Sequence, residues 1–219
     1  MRLLATKKLD FSFKQRLLQQ GFSLLEVPFI QIEKCDYQRR KLEEAVLVSS
    51  KNAAKLFLEQ YSPAQLPPAT RFFCVGQQSA QLLEKEGAHV LETGTTAADL
   101  AHKLIQKYSY RRYSYACGSQ RLPTLENMLS TAGIFVDIHV LYHTQNTSKS
   151  IQNPLDGILF YSPSAVQSFI KTNTILEEHC FCIGPTTAKA VQPYSSKISI
   201  AKAPDNNHLF LAIMQHYHA

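Results

Sequence analysis

Val46-Leu47-Val48-Ser49-Ser50-Lys51-Asn52-Ala53-Ala54-Lys55-Leu56-Phe57 and Ile158-Leu159-Phe160-Tyr161-Ser162-Pro163-Ser164-Ala165-Val166-Gln167-Ser168-Phe169 follow one pattern: apolar β-formers, a turn of small hydroxyl residues, then a stretch of helical period. Each reads as a strand that runs into a helix N-cap. A second matched pair follows each at a similar interval. Phe73-Cys74-Val75-Gly76-Gln77-Gln78-Ser79-Ala80-Gln81 follows the first copy, and Phe181-Cys182-Ile183-Gly184-Pro185-Thr186-Thr187-Ala188-Lys189 the second. An internal repeat kept in order and spacing predicts two related α/β units.

The rest of the chain extends this reading. Arg2 to Ala5, Ala45 to Val48, Phe72 to Val75, Tyr113 to Cys117, Gly157 to Tyr161 and Cys180 to Ile183 are the clearest predicted strands. Phe11 to Gln20, stopped by Gly21, and Ala97 to Tyr108, with leucines at helical spacing, are predicted helices. Strands alternating with helices indicate an α/β fold with parallel sheets. Ile134 to Thr144 is a long β-rich run in which Val136, Ile138 and Val140 alternate, and Val27 to Ile32 is a further extended segment after Pro28. These two could pair as a bridge between units or form a long hairpin edge inside one.

Composition bounds the class. The chain has 219 residues, 45% hydrophobic and 18% charged, with little low-complexity sequence, as in ordinary globular proteins. The N-terminal apolar run is too short for a signal peptide, and no stretch reaches the roughly 20 apolar residues of a membrane span. A cytosolic location without a membrane partner is expected. Five scattered cysteines form no CxxC pair and read as free buried thiols. The net charge of +6 suits a polyanionic partner. Arg39-Arg40-Lys41 is followed at once by Glu43-Glu44, which reads as a mixed solvated helix face and not a nucleic-acid patch.

The turns hold the candidate chemistry. At each one a strand gives way to a helix whose first N–H groups lack a carbonyl one turn earlier, and the helix dipole favours an anion there. Gly76 and Gly184 would admit a ligand close to the backbone, and Pro185 suits the first helical turn. The bland reading is that the Ser and Thr residues are N-caps only. Four turns in two matched pairs argue against it, because parallel strands bring their C-terminal ends to one side, where ligands bind. Dinucleotide, P-loop, GxSxG and HExxH motifs are missing. His139 and His143 read as half-exposed strand residues, and Cys180 and Cys182 as core. No metal or cofactor is expected.

An LLxT start, Gly21 to Pro28, the VSSKNA and CVGQQSA turns, then LYHT, FYSPSAVQSF and CIGPTTAKAV, taken in this order, resemble the uroporphyrinogen-III synthase family over nearly the whole chain. The resemblance implies two similar parallel-sheet α/β domains joined by a two-stranded β-ladder, in a bilobal molecule. Domain 1 would be 1–27 with 148–219, domain 2 would be 37–137, and the ladder 28–36 with 138–147. It implies a cofactor-free cyclising lyase that converts hydroxymethylbilane to uroporphyrinogen III, inverting ring D and losing water, and that works as a monomer on this small molecule without nucleic acid. Tyr142 matches the family's tyrosine and is the implied catalytic group; an ordinary strand aromatic is the alternative. Ser50, Lys51, Asn52, Gly76, Gln77, Ser79, Ser162, Pro163, Ser164, Gly184, Thr186 and Thr187 are the implied substrate-binding residues. Lys7 stands where many members carry arginine, and Lys51 where proline is common. A non-enzymatic bilobal module that clamps a small anion is the rival reading, and a basic nucleic-acid binder a third, disfavoured by the lack of interleaved aromatic and basic residues.

Overall fold

The computed structural model describes residues 1–217. In chain order the elements are β1 (Arg2–Ala5), α1 (Phe11–Gln19), β2 (Ser23–Glu26), β3 (Ile30–Lys34), β4 (Ala45–Val48), α2 (Lys51–Gln60), β5 (Arg71–Val75), α3 (Gln77–Lys85), β6 (Val90–Gly94), α4 (Ala97–Lys107), β7 (Arg112–Gly118), α5 (Thr124–Thr131), β8 (Phe135–Asn146), β9 (Gly157–Phe160), α6 (Pro163–Ile170), β10 (His179–Cys182), α7 (Pro185–Val191), β11 (Ile198–Ile200) and α8 (Asn206–Tyr217). The chain divides into two compact units. One comprises Met1–Gln31 with the chain from Gln145 on, and the other Ile32–Thr144.

In the Ile32–Thr144 unit, β4 to β8 pair in parallel in the order β8-β7-β4-β5-β6, and β3 lies outside β8. Every residue of β4 is buried because both faces of the sheet are covered, as a parallel sheet requires. Val46 and Val48 pack on one face with Ala53 and Phe57 of α2 and Leu83 of α3. Ala45 and Leu47 pack on the other with Leu100 and Leu104 of α4 and Leu125 and Leu129 of α5. Each fully buried Val, Leu or Phe among these stabilises the fold by about 1.5–3 kcal/mol relative to exposure.

The second unit has the order β11-β10-β9-β1-β2, again parallel throughout. Ile158 and Phe160 of β9 pack with Val166 and Phe169 of α6 on one face, while Leu159 packs with Phe13 and Leu17 of α1 and Leu209 of α8 on the other. The two sheets share one strand order with the chain permuted. Starting from β4 or from β9, the next two strands extend the sheet on one side and the last two on the other, which is the 3-2-1-4-5 order of doubly wound sheets. In the second unit those last two strands, β1 and β2, come from the N-terminal end of the chain.

Several expectations change in detail. The predicted extended segment 27–32 is split, since β2 ends at Glu26 and β3 begins at Ile30, with Pro28 unable to donate to a ladder between them. The segments expected as a ladder are neighbours, β3 beside β8, and β8 in addition runs parallel to β7 from Phe135 to Tyr142 as part of the six-stranded sheet. Residues 35–44 form no helix. Arg40 is instead drawn to the Asp137 carboxylate at 3.3 Å and to the Ile138 carbonyl at 2.7 Å. His139 is 2% exposed, not half-exposed, because it bonds Asp137 at 2.9 Å on one side and the Tyr37 hydroxyl on the other.

Candidate active site

A 3-2-1-4-5 sheet opens a crevice at the carboxyl ends of strands 1 and 4, where the helices leave to opposite faces. In the Ile32–Thr144 unit those strands are β4 and β7, and in the other they are β9 and β1. Ser50 follows β4 after Ser49. Its extended backbone ends the strand, and its Oγ accepts the Ala53 N–H at 3.1 Å, capping α2. The same Oγ lies 3.0 Å from the Tyr142 hydroxyl. Tyr142 comes from β8 and is 8% exposed. Burial pushes its hydroxyl above the ordinary tyrosine range, opposed in part by the Ser50 hydrogen bond. The group therefore keeps its proton at neutral pH and can donate it.

In the other unit Ser162 follows β9 after Tyr161, and its Oγ accepts the Ala165 N–H at 3.2 Å to cap α6. Pro163 occupies the first helical position, and Ser164 Oγ lies 3.1 Å from Ser162 Oγ. Across the crevice Thr6 donates its hydroxyl to the Leu159 carbonyl at 2.8 Å. Lys7 Nζ stands 3.9 Å above the Tyr161 ring, a cation–π contact. Among the described residues the buried Tyr161 hydroxyl has no hydrogen-bond partner, and burial with nearby Asp10 and Glu26 raises it far above the ordinary range.

The remaining turns adjoin these. Gly76 ends β5 with φ of 83°, a conformation open to glycine, and starts α3. Gly184 follows β10 after Ile183 and caps α7 from an extended backbone. Lys51, Asn52, Gln77 and Thr186 are exposed on the first turns of their helices. Ser79 and Thr187 are 2% and 3% exposed, and their N–H groups donate to Gly76 and Gly184 carbonyls, each at 3.1 Å. Both side chains are buried, so the exposed polar side chains of these turns are those of Gln77, Gln78 and Thr186. The structure thus brings Ser50 to Tyr142 and Ser162 to Ser164. Among the described residues no group of three or more His, Cys, Asp or Glu could hold a metal ion.

Sequence reasoning did not single out Gly118, Tyr161 or the Thr6–Leu159 contact as part of either crevice. Gly118 had a signal, since glycine in a strand marks a close approach.

The family model described as uroporphyrinogen-III synthase HemD matches residues 12–210. The chain belongs to the uroporphyrinogen-III synthase family. It is accordingly a cyclising lyase of haem biosynthesis, and no observation favours the non-enzymatic anion-binding module. Solved structures agree in fold. The uroporphyrinogen-III synthetase of Helicobacter pylori is 18% identical, with 99% of this chain and 100% of that one covered and a TM-score of 0.66. A mutant uroporphyrinogen III synthase of Thermus thermophilus is 16% identical over 100% of this chain and 99% of that one, at a TM-score of 0.70. The wild-type enzyme of that organism, in a second crystal form, is 16% identical over 100% of both chains, at 0.57. No curated protein matches the sequence significantly. Among the described residues no helix is long and apolar enough to cross a membrane.

Proposed function

We propose that the chain closes hydroxymethylbilane with Tyr142 as the group that assists departure of the terminal hydroxyl. The observation that supports this most is the Tyr142 hydroxyl itself: buried, protonated, and fixed by Ser50 beside the β4–β7 crevice. Tyr142 hydrogen-bonds the leaving oxygen and passes its proton to it as the C–O bond breaks, so the hydroxyl departs as water. The pyrrole nitrogens push out the leaving group and leave an azafulvene. Attack by ring D at its substituted carbon gives a spiro intermediate, and fragmentation and reclosure invert that ring. Reclosure joins the free α-carbon of ring D, and the proton on that carbon is lost as aromaticity returns, which restores the proton that Tyr142 gave up. No covalent bond to the protein is needed, so the enzyme's task is to hold the chain where the inverting attack outruns simple end-to-end closure.

The substrate carries an acetate and a propionate on each pyrrole. In this reading the helix starts at Ser50, Lys51 and Asn52, at Gly76 and Gln77, at Ser162, Pro163 and Ser164, and at Gly184 and Thr186 hold those carboxylates through N–H groups and hydroxyls. Ser79 and Thr187 support the turns from inside. The net charge of +6 favours the same polyanion. The domain limits implied by the family, 1–27 with 148–219 and 37–137, belong to this reading; residues 218 and 219 lie outside the described structure. Four buried free thiols and a half-buried fifth support a reducing, cytosolic location. We also read the protein as a monomer with no nucleic-acid partner, which size-exclusion chromatography and a salt-dependent binding assay check.

The direct test supplies freshly generated hydroxymethylbilane, oxidises the products and separates the type I and type III uroporphyrins. Dominant type III product is expected. Type I product at the spontaneous rate, from folded protein, overturns the proposal.

A further inference from the structure

Tyr142 reaches Ser50 only because the strand that carries it slips. Along β7 and β8 the register pairs Cys117 with Val140 and then Gly118 with Tyr142, so Leu141 is an extra residue in β8. Such a bulge re-aims the side chains beyond it. Val136 and Val140 pack on the α4–α5 face. Strict alternation would send Tyr142 to that face as well. Instead Leu141 and Tyr142 both enter the cluster formed with Val46, Val48 and Ala53 on the α2 side, where Ser50 is.

Gly118, opposite Tyr142, is buried at this slip. A Cβ built on it would lie 2.5 Å from Tyr142 Cζ, 2.6 Å from Cε2 and 2.8 Å from the hydroxyl oxygen. Gly118 is not among the glycines with positive φ, so an alanine there would meet no backbone strain. The constraint is the space taken by the tyrosine ring. The Tyr142 backbone cannot retreat freely, because its carbonyl accepts the Ser119 N–H at 2.9 Å. A methyl group at position 118 must therefore turn the ring and pull the hydroxyl off Ser50.

We infer that Gly118 is a positioning residue for the reaction: by leaving no side chain, it lets the Tyr142 ring lie flat across β7 and aims its hydroxyl at Ser50 and the leaving group. This rests on the role proposed for Tyr142. Gly118→Ala is expected to lower kcat on the order of 100-fold with KM little changed, as for a misplaced catalytic group. In a Tyr142→Phe background it is expected to lower kcat no further, because the hydroxyl it displaces is gone. The thermal cycle gives a second measurement: Gly118→Ala lowers Tm in the wild-type background but not beside Tyr142→Ala, where the ring is absent. Wild-type kcat in folded Gly118→Ala overturns the inference and leaves the role of Tyr142 standing. Multiplicative losses with Tyr142→Phe, or a Tm cost that persists beside Tyr142→Ala, also overturn it. Wild-type kcat in Tyr142→Phe alone overturns the role of Tyr142, and this inference with it.

Discussion

The turn at Ser50 and the turn at Ser162 stand at the same place in two sheets of the same strand order, yet they hold different chemistry. Both serines have φ of −162° and accept the N–H three residues on, from Ala53 and Ala165. Beyond the cap they diverge. Ser50 holds the Tyr142 hydroxyl, while Ser162 meets its neighbour Ser164, beside a Tyr161 ring capped by Lys7. The strands in the position of β8 explain why. β2 keeps unbroken register with β1 over four pairs, whereas β8 slips against β7 and turns a tyrosine inward. A strand end running into a capped helix is repeated, and a tyrosine hydroxyl is added to one copy.

The largest effect expected from breaking this asymmetry is at Tyr142. Tyr142→Phe should cost on the order of 100-fold in kcat, the lower range for a general acid, in a steady-state assay of type III product. Unchanged kcat would make the two turns equivalent. Next comes the contrast between caps. Ser50→Ala and Ser162→Ala should each lower stability by about 1 kcal/mol in urea denaturation. Only Ser50→Ala should also reduce kcat, by about fivefold, because a hydrogen bond of about 1 kcal/mol to Tyr142 is lost. Equal kcat in the two variants would remove Ser50 from the reaction.

Tyr161→Phe sharpens the contrast from the other side. Its hydroxyl is buried without a partner, so removing it should leave stability unchanged or raised by up to about 1 kcal/mol, whereas Tyr142→Phe loses a made hydrogen bond. A large loss in Tyr161→Phe would show that the hydroxyl has a partner after all. At neutral pH the smallest effect is at His179, which is uncharged there. Burial, then His216 and Lys197, hold it down to about 4. The unfolded chain, with an ordinary histidine near 6.5, binds the proton more readily between those values. This contribution is therefore complete above about pH 6.5 and declines as the pH falls toward about 4. Unfolding midpoints measured over that window should show a shallower decline in His179→Gln, and an unaltered slope would exclude His179 as its source.

Much of the frame could be read from residues alone. The predicted strands at Arg2 to Ala5 and Ala45 to Val48 match β1 and β4, and the predicted helices at Phe11 and Ala97 begin where α1 and α4 begin. Fully apolar runs ending in Ser-Ser or Ser-Pro-Ser carry both the strand and the cap signal within a few residues. The edge strands β2 and β11 were not singled out, since Ser23–Glu26 and Ile198–Ile200 are short and partly exposed, with little apolar contrast to mark them. The basic run at Arg39 to Lys41 is not the helix its charge pattern suggests, because Arg40 answers to the Asp137 carboxylate and the Ile138 carbonyl, far away in the chain.

The site divides along the same line. Residue order was enough to place hydroxyl caps at strand ends, to repeat them in two units and to suggest the family, because propensity, capping and the apolar period act over a few neighbouring positions. Which face Tyr142 takes was beyond it. Val136, Ile138 and Val140 alternate in a way that would carry Tyr142 to the α4–α5 face, and one slipped position against β7, together with the missing side chain of Gly118, reverses that. Strand register is settled between segments distant in the chain, by hydrogen bonds and packing that no local pattern contains. The hydroxyl on Ser50 is therefore a product of tertiary structure.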